Sequence, residues 1–353
     1  MSDMHANGNY PGMEKGLQFS GMVFDHAVSV WLDNLRERGT PSQSPPPPNR
    51  LRGDSPGIYR EPVLRARMNT LRCGRRRTPW DHQVMLIRVG FAVGFLFEKP
   101  TPIVALGHIH SSRAACIRQP ERLVSEPPAP MSEYRDGYGN RCTRLVAPAG
   151  RLVLRNDAIV EDSGLPEVNV WNARQHAVEE LPDDVLLFLL ASRYCEVDSE
   201  LKEFAWGQFG SLPAGWPLVQ AICDFVHAHI RFDYQQARAN RTAFDAFRER
   251  TGVCRDYAHL AITLCRCLNV PARYCTGYLG DIGVPANDSP MDFSAWFEVY
   301  LGGTWHAFDA RNNQPRIGRI LMARGRDAAD VALTTTFGRN QLDKFEVWTY
   351  AVG

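Results

Sequence analysis

The sequence predicts an α+β fold in which a small β-rich domain precedes a domain of helices and antiparallel strands. Strand-like runs and turn clusters fill residues 85–165, helical periodicity begins near residue 183, and two strand-like runs flank Gly302-Gly303. Composition allows this, because 353 residues suit about two domains and 44% hydrophobic against 22% charged residues is typical of globular chains. A net charge of +1, from 40 basic and 39 acidic residues, gives no general electrostatic hold on nucleic acid or an anionic membrane. No run reaches the roughly 18 uncharged apolar residues of a spanning helix, and the first thirty residues lack a basic segment followed by an apolar one. The expected location is cytoplasmic, with no nucleic-acid or membrane partner. The cysteines (Cys73, Cys116, Cys142, Cys195, Cys223, Cys254, Cys265, Cys267 and Cys275) are odd in number and lack disulfide-scaffold spacing. Reduced, mostly buried thiols are therefore expected.

Residues 1–84 read as a disordered extension. Pro45 to Pro48 lie in a Ser/Pro/Gln/Asn stretch, and Arg50 to Arg77 hold nine arginines against Asp54 and Glu61. Such a segment buries too little apolar surface to offset its ordering entropy. Only Met22 to Leu35 has helix-like spacing. Met85, where strand periodicity begins, is an alternative start of translation. Strands are expected over Leu86–Phe97, Thr101–His110 and Arg141–Val146, the last after the Gly/Asp/Asn turn cluster at 134–140, with further short strands around Leu152, Leu154, Ala158 and Val160. His108 and His110 share one side of a strand, which admits a metal, but no Cys, Asp or third His accompanies them. After a linker over Leu165–Arg174, residues 175–353 form the second domain. Helices are expected at Asp183–Tyr194, Ser199–Phe209, Trp216–Ile230 and Ala243–Arg250. His227 and His229, two apart, cannot share a helix face.

Thr251-Gly-Val-Cys-Arg-Asp-Tyr-Ala-His-Leu260 leads into an apolar helix ending near Leu268. Gly252 permits a tight turn, which places Cys254 in the first helical turn. Free N–H groups and the helix dipole there stabilise a thiolate and an oxyanion. Cys265, Cys267 and Cys275 lack that placement and read as packing residues.

Downstream, Ala272–Leu279 reads as a strand, and Ser294–Leu301 and Thr304–Asp309 flank Gly302-Gly303, a hairpin signal. A two-residue loop pairs Leu301 with Thr304, His306 with Val299, and Asp309 with Trp296. Ser294 and Asp309 then face one side of the sheet, and His306 the other. These segments (Gly-Val-Cys-Arg-Asp-Tyr-Ala-His-Leu-Ala at 252–261, Val-Pro-Ala-Arg-Tyr-Cys-Thr-Gly-Tyr at 270–278, Ala-Trp-Phe-Glu-Val-Tyr-Leu at 295–301, and Trp-His-Ala-Phe-Asp-Ala-Arg-Asn at 305–312) resemble the bacterial branch of the transglutaminase-like superfamily of papain-like thiol enzymes. The resemblance covers about Asp183 to Gly338, and residues 85–160 look like the β region that precedes the domain in bacterial members.

The resemblance implies a papain-like core, a helix bearing Cys254 packed on an antiparallel sheet, in which Cys254 is the nucleophile and Asp309 orients an imidazole. It also implies acyl transfer at a peptide or protein amide through a thioester, with no cofactor. Ser294 stands where the family has its histidine. Among the other histidines, His306 is on the far face and His259 lies about 140° round the helix from Cys254. Asp292 is a loop carboxylate that repels a thiolate. The expected function is thiol-dependent amide processing, as a peptidase, amidase or acyltransferase. The alternative is a catalytically silent module that binds a peptide or protein partner. Arg311–Arg326 reads as a solvated basic loop, and Val347–Val352 as a terminal strand. Oligomeric state is not legible in the chain.

Overall fold

The computed structural model describes residues 84–286 and 290–352. The expectations for residues 1–83, Met22–Leu35 among them, lie outside the described residues. The β region comprises β1 (Met85–Phe97), β2 (Thr101–Ala105), β3 (Ile117–Gln119), β4 (Val124–Glu126), β5 (Met131–Arg135), β6 (Arg141–Ala147) and β7 (Gly150–Asp162). Helices α1 (Asp183–Leu186), α2 (Leu201–Phe209), α3 (Trp216–His229), α4 (Ala243–Glu249) and α5 (Cys254–Cys267) follow, with the short strands β8 (Arg231–Phe232) and β9 (Thr251–Gly252) between them. The chain ends in β10 (Ala272–Tyr278), β11 (Ser294–Leu301), β12 (Thr304–Phe308), β13 (Ile320–Gly325), β14 (Thr334–Thr336) and β15 (Asn340–Val352).

β1 and β7 pair antiparallel over their whole length, so the apolar positions from Leu152 to Val160 belong to one long strand. β15 pairs with the other side of β1, and β14 with β2, which returns the end of the chain to the first sheets. The sheet orders are β15-β1-β7-β3 and β14-β2-β6-β5. Their shared core of Ile87, Val89, Phe91, Ile103 and Leu154 continues into Tyr278, Phe293, Ile320 and Met322. The β region is thereby seated against the sheet β12-β11-β10-β13. On that sheet lies α5, whose residues from Arg255 to Cys267 are all buried. Its polar residues Arg255, Asp256, His259, Thr263 and Arg266 are buried with the apolar ones, each with a hydrogen-bond partner, and this helix is the axis of the second domain.

The hairpin register agrees with the reading from sequence. Leu301 pairs with Thr304 and Val299 with His306, and Gly302 and Gly303 both take positive φ, 60° and 83°, as a type I′ turn requires. The ladder ends at Phe297–Phe308, so Asp309 lies one residue beyond it and not opposite Trp296 within it.

Three expectations are corrected. The strand at Thr101–His110 stops at Ala105, and His110 instead opens a 3-10 turn, its Nδ1 accepting from Ser112 N at 3.1 Å. His108 is buried beside Thr143 and Glu121, and the described residues hold no group of three His, Cys, Asp or Glu that could bind a metal. The helix at Asp183–Tyr194 is only one α-turn and a 3-10 turn, Leu187–Leu189. Tertiary bonds pull the backbone out: Leu190 O accepts from Arg266, and Tyr194 N donates to Asp327 at 2.8 Å. Arg311–Arg326 is no solvated loop. It contains β13, paired with β10, and the Arg319 side chain is 6% exposed.

Candidate functional site

Cys254 is the first residue of α5. The helix start is fixed by Asp256, fully buried, whose carboxylate accepts from Val253 N at 2.9 Å and from Arg241 and Arg255 at 3.2 Å each. The backbone of Gly252 passes beneath that carboxylate, and a Cβ there would lie 2.6 Å from its Oδ2. Gly252 is thus required by space, since its φ is not positive, rather than by a tight turn.

Cys254 is partly buried and lines a cavity of about 80 Å³, with Tyr234, Asp292, Ser294, Arg311 and Arg316 among the other walls. The loop before β11 brings Asp292 and Ser294 to it. The Gly302-Gly303 hairpin returns the chain so that Arg311 and Asn312 complete it. Cys254 and Ser294 therefore share one cavity, as the sequence leads one to expect. Among the described residues lining it there is no histidine.

The thiol departs from expectation. Burial pushes the Cys254 pKa up, Asp292 adds to this, and together they outweigh Arg311 and the N–H of Ala295, leaving it at about 12. The helix start alone predicts the opposite direction. Two of its N–H groups are used within the turn, Asp256 N on Val253 O at 2.8 Å and Tyr257 N on the same oxygen at 3.3 Å. The repulsion anticipated for Asp292 is present.

Asp309 lies behind the cavity rather than on its wall. Its Oδ1 accepts from Arg311 N at 3.0 Å and Asn312 N at 2.9 Å. Its Oδ2 accepts from Asn312 Nδ2 at 2.8 Å and from both Nη atoms of Arg319 at 3.2 Å. Arg319 also pairs with Glu167 and lies 4.8 Å over the Trp296 ring. Burial pulls the Asp309 carboxyl up, but Arg319 and the Asn312 donors prevail and hold it below the usual carboxylate value. Both oxygens are committed to neighbours that are not imidazoles.

Three other described histidines are engaged elsewhere. His259 is fully buried, stacked on Tyr194 at 5.1 Å, and its Nε2 accepts from Ala328 N at 3.2 Å. Burial keeps that ring well below the ordinary histidine pKa and hence neutral. His306 donates to Leu301 O at 3.2 Å and packs edge-on against Trp216. His227 bonds Ala310 O at 3.1 Å.

Sequence reasoning did not single out Tyr234, Arg311, Arg316 or Arg319. For Arg319 a signal existed: it directly precedes Ile320-Leu321-Met322-Ala323, an apolar run too long for a solvated loop. The other three are placed by tertiary folding alone.

The family description of the transglutaminase-like superfamily matches residues 211–310, which contain Cys254, Ser294 and Asp309. A solved structure from Cytophaga hutchinsonii, a candidate cysteine protease, is 30% identical and superposes with a TM-score of 0.67, over 77% of this chain and 92% of its own. The chain belongs to the transglutaminase-like superfamily. An uncharacterized protein of Mycobacterium tuberculosis is 32% identical over 247 residues, 63% of this chain and 76% of that relative. One from Mycobacterium leprae is 24% identical over 261 residues, 70% and 90% of the two chains. In this transglutaminase-like chain the helix and the antiparallel sheet stand as the superfamily resemblance implies, with Cys254 at the helix start and Ser294 at the start of β11.

Proposed function

We propose that this transglutaminase-like domain is a binding module whose cavity holds a peptide or protein amide without turning it over. The observation that carries the proposal is the commitment of Asp309. The carboxylate that would orient an imidazole is instead closed by Arg319 and Asn312. Two further features support it. Ser294 offers no group able to take a thiol proton near neutral pH, and a thiol with a pKa of about 12 is almost wholly protonated there. A reducing, cytoplasmic setting is part of the proposal, in keeping with free thiols at Cys142, Cys195, Cys223, Cys254, Cys265, Cys267 and Cys275.

A second reading, thiol-dependent amide hydrolysis or acyl transfer, draws on one specific observation. The Ala295 N–H is directed at the Cys254 sulfur, as a donor to a reacting centre would be. Peptide-amide turnover by the full chain, compared with Cys254→Ala, separates the two. The binding reading expects the same background rate from both proteins; turnover that disappears in Cys254→Ala would sink it. Ser294→His then measures what the missing imidazole is worth. General acid–base help contributes about 10²–10⁴-fold, so a gain of at least about tenfold is expected wherever the new ring reaches the sulfur.

A further inference from the structure

We propose that the Cys254 cavity recognises a carboxylate of its peptide ligand, at the chain end or on an acidic side chain, through Arg311. This deepens the binding reading and rests on it. The argument begins with how the arginines around the cavity are used. Arg319 is held by Asp309 and Glu167, and Arg316 by Asp281, Gly280 O and Asn312. Arg273, further along the sheet, is held by Glu298. Arg311 differs: among the described residues it makes no ion pair. Its Nη1 donates to the side-chain amide oxygen of Asn312 at 3.1 Å, and its guanidinium lies flat against Phe232, 4.1 Å from the ring centroid.

That stacking fixes the plane of the guanidinium, and Arg311, a wall of the cavity, carries further in-plane N–H donors besides the one given to Asn312. A planar two-oxygen anion matches such a fork, and a carboxylate is the smallest common one. The charge of Arg311 is felt across the same space, where it opposes the burial that raises the Cys254 thiol and the Tyr234 and Tyr257 phenols. Asp292 on another wall supplies negative charge, which disfavours a dianionic phosphate more than a singly charged carboxylate. A space of about 80 Å³ accommodates a few water-sized groups, enough for a side-chain tip or a chain end.

The test exploits two alkylating reagents of one size and opposite interest to Arg311. Iodoacetate carries a carboxylate and iodoacetamide a neutral amide; each transfers its methylene carbon to the Cys254 sulfur with loss of iodide. The ratio of their rates at Cys254, read by peptide mass spectrometry on the full chain, cancels the thiolate fraction. A charge-assisted hydrogen bond contributes about 1.5–3 kcal/mol, so Arg311→Gln is expected to lower the iodoacetate-to-iodoacetamide ratio about tenfold or more, with Arg311→Lys in between. A ratio that Arg311→Gln leaves unchanged, in protein of unaltered melting temperature, overturns the proposal.

The source of the carboxylate is read from protection of Cys254 against iodoacetamide. Acetyl-Ala-Gln carries only a terminal carboxylate, acetyl-Ala-Glu-amide only a side-chain one, and acetyl-Ala-Gln-amide neither. Protection by one of the first two and not by the third supports the assignment and names the source. Equal protection by the neutral peptide, or none by any at millimolar concentration, overturns it. Hydrolysis of any of these peptides by Cys254 instead ends the binding-without-turnover reading, while the Arg311 ratio still judges the carboxylate.

Discussion

Two buried carboxylates flank the site and are held in much the same way. Asp256 accepts from a backbone N–H and two arginines at the start of α5, and Asp309 accepts from two backbone N–H groups, Asn312 and Arg319 at the end of β12. By position they should differ, the first being a helix cap and the second the orienter of a catalytic base. By environment both are structural. The comparison teaches that a carboxylate the superfamily resemblance makes an orienter is bonded here like a helix cap. On the proposed reading both should register in stability, and removing Asp309 should not slow any thiol chemistry.

The largest effect is expected at Asp256. Removing one partner of a buried ion network leaves charges uncompensated and typically costs about 3–5 kcal/mol. Asp256→Ala takes one of two carboxylates from Arg241, whose side chain is 2% exposed and which keeps Glu249, removes an acceptor of Arg255, and frees the Val253 N–H. Urea unfolding should show a loss in that range, with Asp256→Asn, which keeps the cap acceptor, losing less. Equal stability in all three proteins would mean that the helix start is not held by this carboxylate.

Asp309→Asn should come next, at about 1–3 kcal/mol, because Arg319 retains Glu167 when the charge at 309 is removed. The sharper measurement is alkylation. In a site where Asp309 orients a base, the change slows Cys254 modification; here the iodoacetamide rate at Cys254 should not fall, since the Asp309 charge only adds to the effects that keep the thiol protonated. A large drop in thiol reactivity without loss of stability would restore Asp309 to its catalytic role and undo the comparison.

These contrasts also show what the sequence could tell. The hairpin was legible because a Gly-Gly pair between apolar runs fixes a two-residue loop, and the loop fixes the pairings as far as Phe297–Phe308, where the ladder ends short of Asp309. Helix α5 was legible because apolar residues dominate the run from Ala261 to Leu268 behind the turn at Gly252. The environment of Asp309 was not. Arginine usually marks surface, so Arg319 was read as solvated; only its pairing with Asp309 and Glu167, residues 10 and 152 positions away, makes its burial tolerable. The pull on Tyr194 by Asp327 and the pairing of β15 with β1 are likewise long-range, and no local periodicity carries them. The thiol was misjudged for a similar reason. The helix start is a local feature, but the burial and the Asp292 charge that outweigh it come from the loop before β11.

The smallest effect is a pH dependence, and it isolates Asp309 within the comparison. Its folded carboxyl lies below the usual value, so ionisation is favoured by folding. The sign follows directly: this stability is fully present above the ordinary carboxylate pKa of about 3.9 and is lost as pH falls through the lower folded value. The melting curve of the wild type alone does not report this. His110 is buried next to Arg324, and burial first, then that charge, lowers its pKa to about 4. A histidine held neutral destabilises the fold as pH falls from its ordinary value of about 6.5 toward 4, because the unfolded chain takes up the proton first. Subtracting the unfolding free energy of Asp309→Asn from that of wild type at each pH removes the His110 contribution, which both proteins share. The difference should be flat from pH 7 to about 5 and should shrink below about pH 4. A difference that shrinks already between pH 6.5 and 5 would show that the two sites are coupled; one that never shrinks would show that Asp309 is held by hydrogen bonds an asparagine cannot make, and not by its charge opposite Arg319.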